Sequence, residues 1–328
     1  MINITYYTGA GASANVLPTI NGLNRSLNNI QEHYDLTDKS KFKDFSCATT
    51  FHQDLIWLIK ESQKHLTVDT LARRLYLTGE IKLLIKLKKV LSVAFYLWQY
   101  KKYFDLRYDA LLASLLDRPK GILKIPEQIK FITWNYDIQL ELAAENYFRN
   151  LEIEDLQEEI GSFPRYEYSN GSHSLYNIVH LNGIAGFFRQ LSGFNNLFSI
   201  TQHLDDYDAL EAALQVYKTD NKHANFDELF SFCWEVNNPI SDKSFSIAKQ
   251  IAEATQILVI IGYSFPFFNR TYDREIFNKM KQSGRLNKIY FQNPDLDGSF
   301  LRAQFNLSEK FSIIHIKDTQ QFFIPHEL

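Results

Sequence analysis

The sequence predicts an α/β fold, an open parallel sheet with large helical insertions, and three observations predict it. Short β-branched and aromatic segments recur along the chain, each ending in glycine or polar residues. The stretches between them carry apolar residues at helical spacing. The 328 residues, 45% hydrophobic and 15% aromatic, suffice to bury such a core and exclude disorder as the dominant state.

Ile2 to Tyr7 runs directly into Thr8-Gly9-Ala10-Gly11-Ala12-Ser13 and reads as a strand, a glycine turn and then a helix. Lys130 to Thr133, Gln256 to Ile261 and Lys288 to Phe291 read as buried strands of the same sheet, and Asn177 to Leu181 and Phe311 to Ile316 as additional ones. The architecture is therefore Rossmann-like, with any ligand expected beyond the carboxyl ends of the strands. About 120 residues separate the first strand from the second and read almost entirely as helix, too many for a tight βαβ unit. From Glu80 to Arg107, Leu84, Leu87, Leu91, Ala94 and Trp98 fall on one helical face, with Lys82, Lys86 and Lys89 on another. A second helical stretch, roughly His203 to Ala254, carries the acidic run Asp205, Asp206, Asp208 and Glu211. With no internal repeat or low-complexity linker, residues 1–328 read as a single domain with helical insertions at about 48–128 and 203–254.

Composition narrows the function classes. A net charge of -3 without a recognition motif argues against nucleic-acid binding. Two cysteines, Cys47 and Cys233, are too few for a four-cysteine zinc site or a disulfide framework. No apolar run reaches the roughly 18 residues that span a bilayer. The N-terminus has no signal-peptide pattern, so a cytoplasmic protein is expected. The basic region Lys60 to Lys130 and the acidic region Asp137 to Glu159 read first as solvated helix faces, and otherwise as complementary surfaces for self-assembly or a partner.

Five motifs carry candidate chemistry. Gly9, Ala10, Gly11 and Ser13 form a turn that lets backbone amides approach a pyrophosphate, or simply packs tightly. In Thr133-Trp134-Asn135-Tyr136-Asp137 the carboxamide of Asn135 can grip ribose hydroxyls or a water; equally, Asn135 or Asp137 can cap a helix. His180 ends an apolar strand ahead of Leu181-Asn182-Gly183, where it can take a proton from a hydroxyl or serve as a structural hydrogen-bonder; no metal-ligand spacing surrounds it. Gly262-Tyr263-Ser264 and Gln292-Asn293-Pro294-Asp295 follow buried strands and can line the adenosine half of a dinucleotide, or be ordinary strand exits.

Taken in order, these motifs resemble the sirtuin superfamily, closest to its zinc-free bacterial branch, whose members include effectors of antiphage defence. The resemblance covers scattered motifs from Tyr6 to Asp295 and neither helical insertion. It implies dinucleotide phosphates at Gly9, Ala10, Gly11 and Ser13, and the nicotinamide ribose at Asn135, with Thr133 and Asp137 beside it. It also implies a catalytic base at His180 and the adenosine side at Gly262, Ser264 and Asn293. The chain departs from protein deacylases in lacking the four zinc cysteines, in having Asn15-Val16-Leu17-Pro18 after the first motif, and in the Leu-Asn-Gly that follows His180. The resemblance therefore implies an NAD+ hydrolase that releases nicotinamide and ADP-ribose (or a cyclised product), takes NAD+ as substrate and needs no metal. Such an activity harms its own cell. A gate through homo-oligomerisation or a separate sensor subunit, as in abortive antiviral defence, is accordingly expected, with Lys82, Lys86 and Lys89 as a candidate contact surface. The rival readings are an NAD- or ADP-ribose-binding sensor without turnover and a zinc-free deacylase.

Overall fold

The computed structural model describes residues 2–19, 22–101, 103–165, 176–190, 193–218, 227–228, 230–235 and 238–328. Its strands are β1 (Ile4–Thr8), β2 (Ile129–Thr133), β3 (Ser162–Phe163), β4 (Ile178–His180), β5 (Phe187–Gln190), β6 (Gly193–Asn196), β7 (Asp227–Glu228), β8 (Ile257–Ile261), β9 (Lys288–Gln292) and β10 (Ser312–Ile316). All six segments expected as strands are present. Seven strands form one sheet in the order β10-β9-β8-β1-β2-β4-β3, every neighbouring pair parallel. The fold is thus the expected α/β one. β1 sits at the centre, with Tyr6 opposite Phe131 on one side and Val259 on the other, and all five of its residues are buried. Such continuous apolar runs are what a parallel sheet covered on both faces requires. The chain leaves β1 toward β2 on one side and β8 toward β9 on the other, so the sheet's switch point lies between β1 and β8.

The chain divides into two compact units. The sheet unit comprises Met1–Asn15, Phe104–Gly183 and Cys233–Leu328, and the helical unit Val16–Tyr103 and Ile184–Phe232. In the sheet unit, the helices Pro239–Ala254 and Arg270–Ser283 pack on an apolar cluster that includes Ile132, Val179, Leu258, Ile289 and Phe291.

The helical unit holds the helices Leu23–Tyr34, Phe45–Ser62, Val68–Leu77, Ile81–Gln99, Leu197–Thr201 and Asp206–Lys218, with the small antiparallel sheet β6-β5-β7. Leu84, Leu87, Leu91 and Ala94 are buried as their spacing requires. Lys86 pairs with Asp54 at 2.6 Å and lies over Trp57, and Lys89 lies over Tyr217, whereas Lys82 is exposed. Two of the three lysines expected to form a contact surface are therefore engaged within their own unit.

Three elements differ from expectation. The glycine motif leads into one 3-10 turn, Ala10–Ser13, and the next α-helix begins only at Leu23. The physical reason is Arg107, whose Nη2 donates to the carbonyls of Gly11 (3.3 Å) and Ala12 (3.2 Å), which a continuing helix needs for its own amides. The helical pattern from Glu80 to Arg107 stops at Gln99 and restarts at Leu106, because Asp105 accepts the Arg107 amide as an N-cap. The stretch from His203 to Ala254 is interrupted by β7; its second helix starts afresh at Pro239, capped by Asn238 with proline at the first turn. Residues 219–226 of that stretch lie outside the described residues.

Candidate active site

Polar residues gather where the sheet-unit strands end. At the exit of β1, the Gly9 amide donates to the Ile261 carbonyl at 3.2 Å and the Gly11 amide to the Gly262 carbonyl at 2.8 Å. A Cβ on Gly11 would lie 2.7 Å from the Gly262 Cα, and one on Gly262, where φ is +60°, would lie 2.3 Å from the Ala12 nitrogen. These glycines let the exits of β1 and β8 touch backbone to backbone. Two of the amides expected to face a phosphate are therefore occupied within the protein.

At the exit of β2, Thr133 Oγ1 accepts the Asn135 amide at 3.0 Å and fixes the turn. The Asn135 carboxamide does not cap a helix; its Nδ2 donates to Ser13 Oγ at 3.3 Å, and that hydroxyl also lies 3.3 Å from the Tyr108 hydroxyl. Asp137 stands one position before the N-cap residue Ile138 and accepts the Gln139 amide at 3.2 Å at the start of the helix Gln139–Ala144. Burial pushes its carboxyl up to about 6, against the opposing pull of that amide and of the Ser13 hydroxyl.

At the exit of β4, His180 is 2% exposed. Its Nε2 lies 2.9 Å from Glu141 Oε1, and its Nδ1 is 3.4 Å from the Asn135 carbonyl. Glu141 Oε1 also accepts the Ser162 hydroxyl at 2.7 Å, whereas the buried Oε2 has no hydrogen-bond partner among the described residues. Burial alone would depress His180, but the Glu141 carboxylate and its hydrogen bond hold it above the ordinary histidine value. Burial would likewise raise Glu141, yet the His180 charge and hydrogen bond and the Ser162 hydroxyl hold it below the ordinary range. The pair is a buried ion pair whose carboxylate fixes the ring.

Sequence reasoning missed Glu141. Its signal was an acid alone among Leu140, Leu142, Ala143 and Ala144, on a helix of six buried residues.

The remaining motif residues are arranged around this centre. Ser264 is exposed on the β8 exit, followed by Phe265, whose φ of +55° places a buried aromatic in the left-handed region. Asn293 Oδ1 accepts the amides of Asp295 (2.9 Å) and Leu296 (2.8 Å), and its Nδ2 donates to the Tyr263 carbonyl at 3.4 Å. It thereby joins the β9 exit to the β8 exit. Ser13, Asn135, Asp137 and His180 form one buried polar cluster, with Gly9, Gly11 and Gly262 beneath the adjoining loops.

No family model matches the chain, and no curated protein does. Solved structures similar to it include Sir2 proteins. One is a Sir2 homolog in complex with NAD, 15% identical over 94% of this chain and 82% of that one, with a TM-score of 0.42. Another, Sir2Tm bound to a propionylated peptide, is 11% identical over 96% and 87%, with a TM-score of 0.41. A third, from work on sirtuin substrate affinity, is 12% identical over 97% and 89%, with a TM-score of 0.43.

Proposed function

We propose that the chain hydrolyses NAD+ at the bond between nicotinamide and ribose. The observation that carries this reading is the convergence of Ser13, Asn135, Asp137 and His180, from three separate strand exits, in one buried cluster holding an ion pair. In the reaction, water oxygen bonds to the ribose anomeric carbon as the glycosidic bond breaks. Nicotinamide leaves neutral with the bonding pair, since it begins as a cationic pyridinium and needs no acid. Asn135 orients the ribose hydroxyls and the water. Asp137, ionised above pH about 6, places negative charge beside the developing oxocarbenium ion. In the ion pair the ring carries a proton on both nitrogens; once Nδ1 has lost its proton, Glu141 holds the other on Nε2 of the neutral ring, and Nδ1 accepts the proton of the water or a ribose hydroxyl. Ala10 and Ser13 are assigned the phosphates, with Gly9 and Gly11 shaping the turn that presents them, Thr133 the support of Asn135, and Gly262, Ser264 and Asn293 the adenosine side.

Nδ1 faces the Asn135 carbonyl at rest, so turnover requires that contact to open. This suits a gated NAD+-depleting effector of antiphage defence, released by self-assembly or by a separate activator. The same observation favours the second reading, a sensor that binds NAD+ or ADP-ribose and leaves it intact.

Incubating the full chain with NAD+ and separating the products by chromatography decides between them. Nicotinamide and ADP-ribose should form in equal amounts. Asn135→Ala and His180→Gln should each lower the rate by about 10² to 10⁴-fold. Calorimetric binding of NAD+ without products, under every assembly state tested, would establish the sensor, and no binding would remove both readings.

A further inference from the structure

Of the buried acids outside this scheme, one touches the residues beside three of its motifs. Asp273, on the helix Arg270–Ser283, is fully buried in the sheet unit. Its Oδ1 accepts the Tyr7 hydroxyl at 2.5 Å and the Trp134 indole N–H at 3.0 Å, and its Oδ2 accepts the Tyr263 hydroxyl at 3.0 Å. The donors also meet one another: the Trp134 indole N–H lies 2.9 Å from the Tyr7 hydroxyl, and the Trp134 and Tyr263 rings stack at 6.2 Å. Asn269 Nδ2 completes the group by donating to the Tyr263 hydroxyl at 3.0 Å.

Each donor adjoins a motif residue. Tyr7 stands two positions before Gly9, Trp134 immediately before Asn135, and Tyr263 immediately after Gly262. The Tyr263 ring also lies so close to Gly9 that a Cβ there would meet it at 2.4 Å.

We propose that Asp273 is a positioning residue whose carboxylate ties the exits of β1, β2 and β8 into one rigid unit and so sets the geometry of the site. An apolar side chain would fill this space without the desolvation cost of a carboxylate. What it would not supply is a common acceptor for three donors from three strand ends. Satisfied buried networks of this kind specify one arrangement of the groups they join. Burial pushes the Asp273 carboxyl up to about 7 against the pull of the three donors, in keeping with an acid held where it is for its contacts. The consequence for catalysis rests on the hydrolase reading; the coupling of the loops does not.

The test compares the full-length wild type with Asp273→Asn, which keeps the shape but turns an amide NH2 toward groups that are themselves donors. Hydrogen exchange should quicken together, by at least about 10-fold, at residues 9–13, 133–137 and 262–265, while β9 and β10 keep their protection. NAD+ cleavage should lose about 10²-fold in kcat per folded molecule, with KM within about 3-fold, as misplacement of reacting groups predicts. Tyr263→Phe, which deletes one donor and leaves the carboxylate, should loosen the same three segments to a smaller degree and serves if Asp273→Asn fails to fold. Wild-type protection in all three segments overturns the proposal. So does loosening confined to the Arg270–Ser283 helix, or a loss of activity explained wholly by a smaller folded fraction. If the wild type itself does not cleave NAD+, the hydrolase reading falls and the exchange result alone judges the coupling.

Discussion

In the helical unit, Lys101 meets Asp206 at 2.5 Å with both side chains more than a third exposed. In the sheet unit, His180 meets Glu141 at 2.9 Å with side chains 3% and 0% exposed. A buried acid of the helical unit, Glu211, accepts the backbone amides of Lys43 (3.0 Å) and Asp44 (2.5 Å), an architectural task. The buried acids Glu141 and Asp273 of the sheet unit instead face side chains that adjoin or belong to the strand-exit motifs. Burying a charge is costly, and an apolar substitute is often neutral or better. Where a fold retains such groups between motif residues, chemistry is the reason to look for, and the helical unit shows how charges are arranged when only folding is at stake.

The largest expected effect tests the cost of that burial. Glu141→Gln removes one partner of the pair and should lower stability by about 3–5 kcal/mol, whereas Glu141→Leu with His180→Phe should recover most of the loss. Denaturant unfolding of the two variants checks this; equal losses would mean that the pair is not strongly coupled. Glu141→Gln should also move the acid limb of the pH–rate profile downward, because the carboxylate that holds His180 up is gone.

A smaller effect separates the two buried acids beside His180 by pH. Asp137 is raised to about 6, so its contribution to stability is present below its unfolded value near 4 and is lost as pH rises toward 6. Glu141 is lowered, so its contribution is present above the ordinary glutamate value and is lost as pH falls through its folded value. Thermal melts of Asp137→Asn should therefore flatten the decline between pH 4 and 6, by on the order of 2–3 kcal/mol, and leave the acid side unchanged. The smallest effect lies in the helical unit. Lys101→Ala should cost less than about 1 kcal/mol, and that little should vanish in high salt, as for other exposed pairs.

The parts legible in the sequence were those with a local cause. The runs that became β1, β2, β4, β8, β9 and β10 are apolar, β-branched or aromatic, and are closed by glycine, asparagine or aspartate, so both their state and their shared edge could be read. β3 is two residues long and exists only because β4 offers it an edge. Arg107, which converts the expected helix after Gly9 into a single turn, lies more than ninety positions from the carbonyls it binds. Glu141 and Asp273 were invisible for a similar reason, since His180 and Tyr7, which they bind, stand 39 and 266 positions away and leave no periodicity behind.

The central place of β1 also dictates an order of assembly. Thr5 on β1 bonds Thr255 across 250 positions, just before β8, the strand that closes one of its sides. During synthesis at about 5–20 residues per second, β1 emerges tens of seconds ahead of that partner. Throughout that interval an apolar strand stands with at least one edge open, an invitation to pair with another chain. The helices of residues 16–103 can begin to form meanwhile, and residues 184–232 later complete their packing. The segment destined for the best-protected position in the sheet is thus the one the nascent chain must shield longest.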